Sequence, residues 1–400
     1  MSATIGTSSA QSAYTLPGPT ASSVTERMRS IDIMRGVIMV LMAIDHVRVY
    51  SGIPAGGATA GVFFTRWVTH FCAPGFVFLA GTAAFLHGRK LGDIGQLSRF
   101  LLTRGILLVV LELTVIRFSW TFNVAYGQFT LAGVIWMLGW CMVILAALVR
   151  LQPRVVGWLG VAIVGVQQLF ALVPSVLPPG VRAGFGRGWE FVYPAGLDAA
   201  PGIAVLYVIV PWIGVMAAGY GFGALMVRER TQRDRLSLRI GLGMTTAFLF
   251  AGIAMVLLRD PGDDTRPALF RVLDQQKYPA SQWYLLMTLG PMLMLLPAAE
   301  RWRGWVADAF DVIGRVPMFY YLLHVPLIHV SALIVNIMRT GAAHAEWYDS
   351  APFAQVPADQ RWTLAMLYAV FAVNVLLLYA ACLWYASVKQ RRPRAWMRYI

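Results

Sequence analysis

Gly36-Val-Ile-Met-Val-Leu-Met-Ala-Ile-Asp45-His46-Val-Arg48-Val49 is an apolar run that ends in a carboxylate, an imidazole and a guanidinium. Arg66-x-x-x-His70 follows at the mouth of the next apolar run. Ionisable groups inside a segment of hydrocarbon length are costly. They persist mainly where they face a protein interior or a water-filled cavity. Two such clusters on neighbouring segments therefore predict a buried polar site within a membrane-embedded bundle.

The rest of the chain agrees with that frame. Of its 400 residues, 58% are hydrophobic and only 13% charged, with a mean hydropathy of +0.63. Repeated apolar runs of about 20 residues, each able to cross a bilayer, predict an all-α polytopic integral membrane protein. Ten spans are expected, at 31–50, 65–87, 100–118, 129–149, 155–174, 203–226, 239–258, 281–298, 316–337 and 363–387. With the N-terminus inside, roughly two thirds of the 33 Lys and Arg residues fall on the inner side. They include Arg89, Lys90, the run Arg228 to Arg239 and the tail Lys389 to Arg398. This bias predicts that both termini are cytoplasmic, in a multi-pass protein of the cell inner (plasma) membrane.

The formal net charge of +14 then needs no nucleic acid to explain it. A basic tail beside a span favours anionic membrane lipids instead. Residues 1–25, rich in Ser, Thr, Ala and Gly, read as a disordered cytosolic leader. Residues 26–390 form the transmembrane domain and 391–400 the basic cytosolic tail. Cys72, Cys141 and Cys382 fall inside spans without ligand-type spacing, so no metal is expected. Pro74, Gly75 and Gly81 in span two, and Pro211 and Gly214 in span six, mark broken helices or close helix packing.

Helical rise places the ionisable groups. Asp45 and His46 lie ~21 Å from the inner edge, His70 ~8 Å below the outer edge and Glu112 ~18 Å from the inner edge. Three spans thus bring Asp45, His46, His70 and Glu112 to a similar level. Asp45 and Arg48 are three apart and can pair. A carboxylate beside a histidine can orient it, and such a histidine can act as a base or as an acyl-accepting nucleophile. Glu112 can alternatively balance Arg104 or Arg117. In span nine, His324 lies about half-way through the bilayer, with Tyr320 at i−4 as a ready partner and His329 one turn on. Arg35, Arg89 and Lys90 at the inner edge can meet phosphates or simply snorkel.

With these residues in view, the chain resembles the catalytic-domain family of heparan-alpha-glucosaminide N-acetyltransferase, in its bacterial branch. The matching pieces are Arg29-Ser-Ile-Asp32-Ile-Met-Arg35-Gly36, Leu41-Met-Ala-Ile-Asp45-His46 and Phe71-Cys-Ala-Pro74-Gly-Phe-Val-Phe-Leu-Ala-Gly81. It is more distantly similar to the type-3 membrane acyltransferases through Asp32, Arg35, His46, Tyr321, Leu323, His324 and Pro326. The resemblance implies transfer of an acetyl or other acyl group from cytosolic acyl-CoA (acetyl-CoA) to a hydroxyl or amine, often on a sugar, at the outer face. In the lysosomal relatives a histidine in the loop after span one is linked to transfer. The loop here, Ser51 to Thr65, has none, so the role falls to His46, with His70 second.

The expected site therefore has His46 as base or acyl carrier, Asp45 orienting it, and Arg48 or Arg66 at the oxyanion. His70 assists the acceptor, Glu112 and His324 complete the polar core, and Arg35, Arg89 and Lys90 receive the CoA phosphates. The expected partners are membrane lipids, acyl-CoA and a glycan or other small acceptor, with room for a homo-oligomer. The alternative is a proton-coupled transporter or flippase built on the same groups. A third reading is a non-catalytic subunit of an envelope glycan complex.

Overall fold

The computed structural model describes residues 28–56, 59–194, 196–200, 202–258, 262, 266–392 and 394–398. The expected leader lies outside them. The described residues are mainly helical, and each of the ten expected spans holds helix. The principal helices are α1 (Arg29–Ser51), α2 (Ala60–Leu91), α3 (Ile94–Leu111), α4 (Val134–Leu148), α5 (Pro153–Gly165), α6 (Ile209–Met226), α7 (Arg230–Leu258), α8 (Gln282–Arg301), α9 (Trp305–Arg315), α10 (Pro317–Thr340) and α11 (Leu364–Arg391).

Six of these (α2, α6, α7, α8, α10 and α11) are long and apolar enough to cross a membrane. A seventh span results if α5 and the 3-10 segment Gln167–Val176, bent by 68°, are counted together. Exposed Leu102, Ile106, Val110, Phe250, Leu257, Ile334 and Leu376 give the bundle an apolar exterior, as a lipid-facing surface requires.

Helix α1 carries Asp32, Arg35, Asp45 and Arg48, too much charge for a span in contact with lipid. It is instead the hub of the bundle, packed against α2, α8, α9, α10 and α11 and buried along most of its length. It ends where Gly52 turns left-handed at φ 73° and returns its N–H to Val49 O. The turn from α2 to α3 uses two residues. Gly92, at φ 68°, closes α2 on Gly88 O, and the Asp93 carboxylate accepts the Gln96 N–H to open α3.

Prolines break the ladder where another helix can use the freed carbonyl. Pro74 has no N–H to give His70 O, and the Tyr284 hydroxyl donates to that carbonyl at 2.7 Å. Just before it, Val68–Phe71 tightens into a 3-10 turn. Pro297 likewise leaves Leu293 O to the Ser237 hydroxyl at 2.7 Å. In α6 the kink falls at Val210, ahead of Pro211. Close packing operates as well. A Cβ on Gly81 would lie 2.0 Å from Met216 O, so α2 and α6 cross backbone to backbone.

Two stretches differ from expectation. The starts of spans four and six are strands, β1 (Thr130–Ala132) and β3 (Ile203–Val205). With β2 (Gly196–Ala200) they form a small sheet of order β1-β3-β2. β1 and β3 are parallel, with Leu131 opposite Ala204. An apolar run reads the same in either conformation, so periodicity did not separate them. The segment 299–315, expected as a loop, holds α9, which is too short to span but packs along the start of α1. A Cβ on Gly314 would meet Asp32 O at 1.8 Å, so only glycine allows that approach.

Candidate active site

His46 projects from α1 towards α10, where its Nδ1 lies 2.6 Å from Nε2 of His324. The two rings stack with centroids 4.7 Å apart. On the far side of the pair, His324 Nδ1 is 2.6 Å from Tyr321 O. A carbonyl only accepts, so His324 Nδ1 carries a proton and donates. With both rings neutral, His324 Nε2 is then an acceptor and His46 Nδ1 its donor. The last nitrogen of the chain, His46 Nε2, is left with a free lone pair. One main-chain carbonyl thereby sets the tautomer of a histidine on another helix.

The edge of Trp120 holds the His46 ring in place, with centroids 4.8 Å apart. Trp120 O in turn accepts the Tyr50 hydroxyl at 2.7 Å. His329 does not join the pair. Its Nδ1 donates to Ser119 O at 3.2 Å and its ring stacks on Phe122 at 3.9 Å. Tyr320, expected to bond His324, instead stacks on it at 5.6 Å, and its buried hydroxyl has no hydrogen-bond partner.

Asp45 does not orient His46. Adjacent helix residues point to different sides, and the carboxylate goes to Arg48 Nε at 2.9 Å and Arg66 Nη1 at 3.9 Å. Arg48 is buried and also donates to Ile53 O at 2.8 Å, so it fixes the end of α1 and has little left for an oxyanion. His70 is buried in the 3-10 turn against Tyr284, within electrostatic reach of Asp45, Arg66 and Lys277. Of the residues that the depth count set at one level, Asp45, His46, His70 and Glu112, His70 is close to Asp45, with Arg66 beside both.

Glu112 is not. It lies in a π-helical turn, Glu112–Ile116, and its Oε2 accepts the N–H groups of Ile135 at 2.9 Å and Trp136 at 3.2 Å. It caps the first turn of α4 in place of a local side chain, since Gly133 supplies none. It balances neither Arg104 nor Arg117. The Arg117 guanidinium is occupied by Phe129 O, Thr121, Asn123 O and Ala125 O.

At the end of the bundle where α1 begins lies a cavity of about 310 Å³. Arg35, His87, Arg104, Arg315 and Lys389 stand around it, and Met39, Phe76, Leu138 and Met142 make its apolar wall. Tyr321 also lines it, so the cavity reaches the residue whose carbonyl holds His324. Of the three expected phosphate contacts only Arg35 is there. Arg89 and Lys90 lie outside its lining.

Residues 27–273, more than half the chain, match the family described as heparan-alpha-glucosaminide N-acetyltransferase, catalytic. The chain belongs to that family. Among curated proteins no sequence matches it. Membership makes this a chain of a membrane acetyltransferase family, and it covers Asp45, His46, Arg66, His70 and Glu112. His324 and Lys277 fall beyond the matched segment, so the paired histidine was joined to the family region by folding.

The sequence reading missed Lys277, Trp120 and the tyrosines at 207, 278 and 284. One signal was available, because Lys277 is one of only three lysines in an arginine-rich chain. The aromatic residues carried no spacing that would have set them apart from an interfacial belt.

Proposed function

We propose that this protein is a transmembrane acyltransferase moving an acetyl or other acyl group from cytosolic acyl-CoA to an acceptor hydroxyl or amine, on a sugar, at the opposite face. The observation that carries the reading is the position of the His46–His324 pair. It lies between the basic cavity, through Tyr321, and the Asp45–Arg66 cluster one residue along α1. On this reading all ten helical segments cross the inner membrane, with α1 running outwards and both termini cytoplasmic.

A cavity of about 310 Å³ is at the small end of ligand pockets. It suits the slim thiol arm and acyl group of the donor, with the phosphates left at the cationic mouth. At the pair, His46 Nε2 has two uses. It can take the proton of the acceptor as that group attacks the thioester carbonyl, then return it to the leaving thiolate. Alternatively it attacks the carbonyl itself and expels the CoA thiolate; the acceptor then takes the acyl group from the imidazole, its proton passing to the thiolate. Both uses require the lone pair that the hydrogen-bond chain leaves free.

The test is turnover of labelled acetyl-CoA by purified protein in lipid, with CoA release and label on histidine read separately. His46→Ala is expected to abolish both. Full transfer by that variant would sink the assignment, and solute flux without CoA release would favour a proton-coupled transporter.

A further inference from the structure

Beside Asp45 the structure collects more positive charge than it neutralises. Arg48, Arg66 and Lys277 all act on that one carboxylate. Arg48 is consumed by Asp45 and Ile53 O. Arg66 touches Asp45 only at 3.9 Å, which leaves most of its five donors unspent. Lys277 is only 7% exposed, yet it makes no hydrogen bond or ion pair among the described residues. Its ammonium has only the faces of Tyr278 at 5.2 Å and Tyr207 at 6.0 Å. With no protein acceptor among the described residues, the ammonium meets only these two rings and keeps some contact with solvent, where a ligand can reach it. Nearby Asp274 is committed to Arg266 at 2.8 Å and offers no relief.

We propose that Lys277 and Arg66 bind an oxyanion, a carboxylate or phosphate, carried by the acceptor. Calling its carrier the acceptor rests on the acyl-transfer reading. The anion site itself does not. The tight turn Lys277–Ala280 presents the lysine, and the half-buried ring of Tyr278 beside it gives a sugar face something to pack on. The side chains of Asp45 and Arg66 keep 17% and 18% exposure, so neither is sealed from solvent. An oxyanion held there lies one residue along α1 from His46, on the side of the helix to which Asp45 points.

The experiment is equilibrium binding of D-glucuronate, D-glucose and inorganic phosphate to the purified full chain in neutral-lipid nanodiscs without donor. Glucuronate is expected to bind at least tenfold more tightly than glucose. Lys277→Gln should weaken it by about 10- to 100-fold, the value of a charge-assisted contact. Lys277→Arg should restore part of the loss and shows that the site is folded. Phosphate binding as tight as glucuronate would mark a site for a free anion and overturn the acceptor assignment. Binding indifferent to Lys277 would overturn the site altogether. Repeating the series in anionic-lipid nanodiscs separates a headgroup occupant, which would also overturn the assignment by displacing the sugar acid. Acetyl-CoA turnover is read on the same preparations. Lys277-dependent anion binding without turnover sinks the acyl-transfer reading alone, and turnover without such binding sinks this proposal alone.

Discussion

Replacing His324 by Phe keeps the ring and its stack against His46 but removes the one nitrogen that accepts from His46 Nδ1. Two outcomes are open to the variant. Either the buried N–H of His46 stays unsatisfied, at about 1–3 kcal/mol, or the proton moves to Nε2. The second is the cheaper state, and it places the proton on the atom whose lone pair the reaction needs. The variant therefore loses the general-base contribution, about 10²- to 10⁴-fold in rate. The basic cavity meets this region through Tyr321 and is untouched, so if it holds the donor as proposed, kcat should fall while KM for acetyl-CoA stays near the wild-type value. His324→Gln offers a carbonyl oxygen at a similar reach and should recover part of the rate. The assay is CoA release from labelled acetyl-CoA in proteoliposomes, alongside His46→Ala. Wild-type kcat in His324→Phe, in preparations where His46→Ala is dead, would refute the claim that the pair sets the tautomer.

Glu112→Gln should retain an oxygen for Ile135 and Trp136 and lose only the charge at the start of α4, about 0.3–1 kcal/mol by thermal unfolding in detergent. Glu112→Ala orphans both N–H groups and should cost about 1–3 kcal/mol for each, so equal stability of the two variants would remove the cap from the account. Arg104→Gln is expected to raise KM for acetyl-CoA, and Lys90→Gln to leave it unchanged, because only Arg104 lines the cavity. The reverse ranking from steady-state kinetics would move the donor site. The Gln96 backbone and side-chain N–H groups hold the Asp93 carboxyl below its ordinary 3.8. Its capping contribution should be complete above that value and fade as pH falls through the lower folded one. Melting temperatures of wild type and Asp93→Asn should thus converge only in the acid range, and parallel pH profiles would contradict this.

What the sequence made legible was local. The charges of α1 stand out because they interrupt one continuous apolar helix, and Asp45–Arg48 is a contact between neighbours in that helix. His46 and His324 are 278 positions apart, and no spacing connects them. Glu112 was misread for a different reason. Its partners are main-chain N–H groups, which have no sequence signature, whereas the arginines proposed for it did. The three cations expected at the inner edge were chosen by counting charge instead of placing it. Arg89 and Lys90 form the more conspicuous pair, but the cavity takes its cations singly from α1, α2, α3, α9 and α11. Length misled in both directions, turning β1 and β3 into helix and α9 into loop.

The position of α1 gives a physical reason for dividing the work this way. A polyanionic donor cannot cross the apolar interior cheaply, and neither can a charged acceptor. On the acyl-transfer reading, the small, neutral acyl group alone has to pass the histidine pair. A constriction built from a permanent ion pair would retain charge there and bind ions from either side. A pair of neutral imidazoles sharing one proton can gain and lose a proton during transfer without a fixed charge at rest. The arrangement therefore needs cations at the two ends and none between them. Along α1 that is the order observed: Arg35 at the cavity, then an uncharged stretch from Gly36 to Ile44, then Asp45 and His46, then Arg48 with Arg66 and Lys277 beyond. Moving a cation into the stretch between Met39 and Ala43 should damage transfer even with both histidines intact. An intact rate in Met42→Lys would show that the neutrality of this segment is incidental.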